Sequence, residues 1–134
     1  MSATSSVLVI DHDPDLLLLI SAVLRNSGIR VLRARSCAEA IDIARRDYVA
    51  IDMILSNRLV SDETGAEIVE RVRRIRPQLA AAYMSGGSEN DVLRLKLLKE
   101  EDSDFAGSAE LPEVSSFLRS AMEGPKSKTA GKQS

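Results

Sequence analysis

An α/β fold, with a parallel sheet covered on both faces, is the architecture this 134-residue sequence predicts. Short β-type runs recur along the chain: Val7-Leu8-Val9-Ile10, Ile29-Arg30-Val31-Leu32, Ile51 to Leu55, Leu79 to Met84 and, less marked, Ser103 to Ala106. Longer segments with helical spacing of apolar residues lie between them. Strands alternating with helices of this length imply parallel strands with helices packed on either side. The length suits one domain with one good core.

The first three helices carry start or stop signals. The first has Asp13 as N-cap, Pro14 at the first helical position and Asp15 in the first turn. Its expected apolar stripe is Leu16, Leu19, Ile20, Val23 and Leu24, and Gly28 stops it. The second opens with Ser36-Cys37-Ala38-Glu39, the pattern of a capping box, and turns Ala40, Ile41 and Ala44 inward. A third runs from about Thr64 to Ile75 with Ile68, Val69, Val72 and Ile75 on one face, ending at Pro77. A fourth is expected over Glu89 to Leu98. The fifth is expected from Pro112 to Met122, with Val114, Phe117, Leu118 and Met122 as its apolar set.

Right-handed crossovers restrict such a chain to few topologies. The expected one is a doubly wound, five-stranded parallel sheet in the flavodoxin-like order 2-1-3-4-5, a (βα)5 three-layer sandwich. Its domain spans residues 7–123, after an N-terminal arm, 1–6, and before a flexible basic tail, 124–134. Ligands of such sheets sit beyond the carboxyl ends of the strands, at the switch point. Four polar segments end the strands there: Asp11-His12-Asp13, Ser56-Asn57, Ser85-Gly86-Gly87 and Gly107-Ser108.

Bulk numbers exclude several classes. Apolar residues make up 44% and the formal net charge is −2, so a folded soluble protein is expected and a general nucleic-acid binder is not. No apolar stretch approaches the length that crosses a bilayer. The first residues lack the basic and apolar regions of a secretion signal, so the expected location is the cytoplasm. The one cysteine, Cys37, excludes an internal disulfide; it reads as a small buried residue at a helix start or, second, as a reactive thiol.

With those strand ends in place, the chain resembles the CheY-like receiver domain of bacterial response regulators. The resemblance covers Val7 to Met122. It rests on Val7 through Asp15, on the eight-residue step from Asn57 to Gly65, and on Ile75-Arg76-Pro77 through Tyr83-Met84-Ser85-Gly86. The last stretch looks like receivers attached to hybrid sensor kinases.

The resemblance implies a chemistry and, position by position, its loss. Asp11 matches the first metal-binding acid, while His12 stands where the second belongs, with Asp13 beside it. Asn57 replaces the phosphoryl-accepting carboxylate, and a neutral amide is a poor nucleophile. Ser85 matches the switch hydroxyl and Phe105 the switch aromatic. Ser108 and Ala109 fall where a lysine and a proline are expected. The resemblance therefore implies a degenerate receiver, a pseudo-receiver without catalytic residues. Its expected work is phosphorylation-independent protein binding. Cofactors are expected to be absent, with Mg²⁺ weak at most and held by Asp11 and Asp13.

Expected partners are a histidine kinase, a phosphotransfer domain or another regulator, with neither nucleic acid nor membrane. The protein itself is expected to be a monomer or weak homodimer. Four consecutive leucines, Leu16 to Leu19, put Leu17 and Leu18 off the expected core stripe, as a candidate partner surface. Two alternatives stay open. One is phosphoryl acceptance at an atypical site, Asp13, Ser56 or Asp62. The other is a flavodoxin-like small-ligand binder, which the sparse aromatics Tyr48, Tyr83, Phe105 and Phe117 support poorly.

Overall fold

The computed structural model describes residues 5–86, 94–99, 109–110, 113–120 and 122. Strand β1 (Ser6–Ile10) lies between β2 (Arg30–Ala34) and β3 (Met53–Asn57), parallel to both, and β6 (Ala80–Gly86) runs parallel to β3. Between β3 and β6 sit two short strands, β4 (Leu59–Val60) and β5 (Glu63–Thr64), which form a separate antiparallel hairpin. Helices α1 (Pro14–Asn26), α2 (Cys37–Ala44) and α3 (Gly65–Ile75) make the connections, and residues 114–120 form a further helix, α4. The order β2-β1-β3-β6 is the expected doubly wound arrangement.

Beyond β6 the expectation changes. Residues expected to end a fourth helix form β7 (Arg94–Lys99), antiparallel to β6, and β8 (Ala109–Glu110) pairs antiparallel with β7. Arg94-Leu95-Lys96-Leu97 alternates polar and apolar residues, the period of a strand. A helical reading of the leucines overlooks that alternation. The expected fifth strand, Ser103 to Ala106, lies outside the described residues, as does the tail, 124–134. Ser6, assigned above to the N-terminal arm, belongs to β1; its N–H donates to Asp52 Oδ2 at 2.7 Å.

The pleat divides the apolar residues between two cores. Val7, Val9, Met53, Leu55, Ala82 and Met84 pack with α1 and α4, the latter through Val114 and Leu118. Leu8, Ile10, Ile54 and Ala81 pack with α2 and α3. Strands buried on both faces need apolar residues at every position, which is why these runs show no alternation.

Helix ends follow their local chemistry. Asp13 Oδ1 accepts from Asp15 N at 2.9 Å and from Leu16 N at 3.4 Å, and Gly28 closes α1 at φ +83°. Ser36 Oγ caps α2 through Glu39 N, but Glu39 Oε1 reaches Arg35 N rather than closing a capping box on Ser36. The full box forms at α3, between Thr64 and Glu67. There the Thr64 backbone N–H, then its hydroxyl, holds the Glu67 carboxyl below its ordinary range.

The leucine run is a correction. The buried stripe of α1 is Leu16, Leu17, Ile20, Ser21 and Leu24. Leu17 is therefore core, 2% exposed, while Leu19, expected in the stripe, is 37% exposed and Leu18 is 55% exposed. Four identical residues carry no phase; the stripe is set further along, by Ile20, Ser21 and Leu24, and it turns toward Leu17.

Arg76 supplies an unexpected clamp. Its guanidinium donates to Ala44 O at 3.0 Å, Val49 O at 2.6 Å and Arg46 O at 2.6 Å, holding the end of α2 and the loop after it against α3. Replacement Arg76→Ala is expected to cost about 2 kcal/mol, since it leaves carbonyls without charge-assisted donors. Urea denaturation checks this; an unchanged midpoint would refute it.

Candidate functional site

Asp11 and Asn57 end adjacent strands on the same pleat, continuing the Val7–Val9 and Met53–Leu55 series. Asp11 is buried, 1% exposed, and Asn57 half-buried. Asn57 Nδ2 donates to Asp11 Oδ2 at 3.0 Å. Asn57 Oδ1 accepts from Leu59 N at 3.3 Å. Both ends of the amide are thus engaged, one by the buried carboxylate and one by the start of the hairpin.

The other oxygen of Asp11 is also occupied. Asp13 N donates to Oδ1 at 3.1 Å. His12 Nδ1 lies 3.5 Å from the same atom, an ion pair only when the exposed ring is protonated. Asp13 spends its Oδ1 on the α1 cap. So of the residues singled out at the end of β1, Asp11 meets Asn57 directly, while His12 and Asp13 reach it only through Asp11.

The backbone around Asn57 is equally constrained. Arg58 N donates to Met84 O at 2.9 Å, and Gly65 N donates to Arg58 O at 2.8 Å. Ser56 Oγ, fully buried, donates to Asn57 O at 2.9 Å. A Cβ on Gly65 would stand 2.3 Å from Asn57 O and 2.9 Å from Ser56 Oγ. This close approach accounts for the glycine eight residues past Asn57. The hairpin turns at Ser61, whose φ is 59°, and Glu63 Oε2 ties it to α3 through Arg71 Nη1 at 3.1 Å. Neither the hairpin nor its anchor had been expected from the sequence; the signal was Val60-Ser61-Asp62-Glu63, two turn-tolerant residues between strand ends.

Ser85 is half-buried in β6, one residue past Met84, the register partner of Asn57; its own partner on β7 is Lys96. No hydrogen bond joins it to Asp11 or Asn57 among the described residues. Ala109 starts β8. Phe105 and Ser108 lie outside the described residues.

The comparisons with known proteins agree with this fold. The family profile described as "Response regulator receiver domain" matches residues 7–106. The chain belongs to that family. No curated protein matches it in sequence. Among solved structures it is similar to a response regulator receiver domain protein from Clostridium thermocellum, at 20% identity over 91% of this chain and 97% of that one, with a TM-score of 0.65. It is also similar to the receiver domain of the hybrid histidine kinase CckA, at 21% identity over 63% and 79%, with a TM-score of 0.56. A response regulator receiver protein from Pseudomonas putida shares 22% identity over 68% and 75%, with a TM-score of 0.56. These likenesses share the fold.

Receiver domains are signalling modules of two-component systems, and they typically bind Mg²⁺ at the phosphorylation site. Mg²⁺ requires oxygen ligands in near-octahedral array. Asn57 instead turns an N–H toward Asp11, and no group of three or more acidic, histidine or cysteine side chains gathers among the described residues. None of the described helices is long and apolar enough to cross a membrane.

Proposed function

We propose that this receiver domain acts by phosphorylation-independent protein binding, as a pseudo-receiver in a two-component pathway. One observation carries the reading: Asn57, at the end of β3, is a neutral amide with both polar atoms engaged, by Asp11 and by Leu59. An amide in that place offers no carboxylate oxygen to attack a phosphoryl donor. Its N–H, turned to Asp11 Oδ2, would offer a divalent ion no oxygen ligand, so Mg²⁺ would bind weakly at most. Ser108 and Ala109, where the family resemblance expects lysine and proline, add to the same loss. The protein turns over no substrate of its own. Its partner is a histidine kinase, a phosphotransfer domain or another regulator.

Atypical phosphorylation at Ser56 or Asp13 has less support. Ser56 is fully buried with its hydroxyl donating to Asn57 O, and Asp13 is committed to capping α1. The Asn57 amide is expected to hold one conformation, in a family whose switching is a shift between pre-existing states. Beryllofluoride with Mg²⁺, a mimic of the acyl phosphate, tests this. The amide nitrogen–proton spectrum is expected to stay unchanged; shifts spreading from Asp11, Asn57 and Ser85 would contradict the reading.

A further inference from the structure

A second feature lies away from the Asp11–Asn57 end, on the flank of the sheet. There α1, β2 and the start of α2 enclose a groove of about 280 Å³, lined by Pro14, Leu17, Leu18, Arg33, Arg35 and Glu39. Its floor is apolar. Leu17 supplies packed surface, and Leu18, 55% exposed, supplies the open wall.

The rim is basic. Arg33 and Arg35 are exposed, and neither guanidinium has an ion-pair partner among the described residues. Glu39 is the one acid lining the groove, and its Oε1 accepts the Arg35 N–H at 2.7 Å. Asp15 lies nearby in the first turn of α1. A chain of net charge −2 thus presents two unpaired cations beside an apolar slot.

The strand that carries Arg33 has an open edge. β2 is an outer strand of the sheet among the described residues. Arg30 N donates to Ser5 O at 2.8 Å and Ala34 O accepts from Asp11 N at 3.1 Å, so even-numbered residues turn their backbone groups toward β1. By strand alternation, Val31 and Arg33 turn theirs to the open edge. An edge of this kind is a template for an added strand.

We infer that this groove docks an extended acidic segment of a partner protein, which adds to the β2 edge, places one aliphatic side chain against the exposed Leu18, and sets carboxylates on Arg33 and Arg35. Charge complementarity selects the acid, and the slot selects the anchor. The inference deepens the interaction reading above, but it stands or falls separately: phosphorylation assays do not touch the groove.

The probe is a fluorescent peptide, Glu-Asp-Val-Leu-Val-Asp-Glu, followed by anisotropy and by amide chemical shifts of the full chain. Binding is expected, with shifts confined to residues around Leu18, Val31 and Arg33. The double variant R33E/R35E is expected to weaken it at least about tenfold, as is high salt. Leu18→Glu should do the same while leaving the thermal melt unchanged, because the side chain is exposed. A peptide with lysines for the acids should not bind. Equal binding by wild type and R33E/R35E, or shifts elsewhere, overturns the proposal. An oligothymidine that competes as strongly as the acidic peptide would reassign the rim to nucleic acid. A dimer in sedimentation that Leu18→Glu dissolves would reassign the groove to a second copy of the chain. Either result overturns it too.

Discussion

Gly65→Ala is expected to cost the fold about 3 kcal/mol or more, at the upper end of what overpacking causes. The added Cβ would meet Asn57 O at 2.3 Å and Ser56 Oγ at 2.9 Å. Neither neighbour can yield cheaply. Asn57 O is backbone of β3, the strand between β1 and β6, and it already accepts from Ser56 Oγ. Moving it would disturb Arg58 N and Gly65 N, which fix the loop on either side. Urea denaturation measures the loss. A Gly65→Ala protein with an unaltered midpoint would show that the close approach is not real.

Asn57→Asp is the second large effect, and its sign is the informative part. In an active receiver a carboxylate is the native residue there. Here the substitution removes the donor to Asp11 Oδ2, now at 3.0 Å, and sets a second negative charge against a carboxylate that is 1% exposed. Two like charges at that separation, with the donated hydrogen bond gone, are expected to destabilise the domain by about 2–4 kcal/mol at neutral pH. Millimolar Mg²⁺ should restore part of the loss in the variant, because the ion relieves the repulsion, and should leave the wild type unchanged. Thermal melts of both proteins with and without Mg²⁺ decide it. A variant as stable as wild type without Mg²⁺ would mean that the crevice still tolerates the paired acids.

What the sequence made legible was local. Asp13-Pro14, Gly28, Ser36 and Thr64 act on backbone within a few residues, so the helix ends they mark could be read from neighbours in the chain. Chirality limited the strand order to a few choices, the flavodoxin-like order was the one expected among them, and the convergence of Asp11 with Asn57 followed from that order. The phase of α1 was not legible, because Leu16 to Leu19 are identical and only packing against the sheet chooses among them. β7 was legible only in part: Arg94 to Leu97 alternates as a strand does, Leu98 breaks the alternation, and pairing with β6 decides it. The Arg76 clamp joins α3 to carbonyls some thirty residues earlier, beyond any local pattern. The Asn57–Asp11 bond lies between these cases. The residue types and their meeting place could be read, but the direction of the hydrogen bond could not. That direction turns a missing acid into an engaged amide.

Intact mass after incubation with acetyl phosphate and Mg²⁺ tests the central claim most directly. The wild type is expected to show no added mass. Asn57→Asp should show little, because the family resemblance puts His12 where the second acid is expected and Ser108 where the lysine is expected. A stoichiometric, base-labile gain of one phosphoryl group on the wild type would contradict the account.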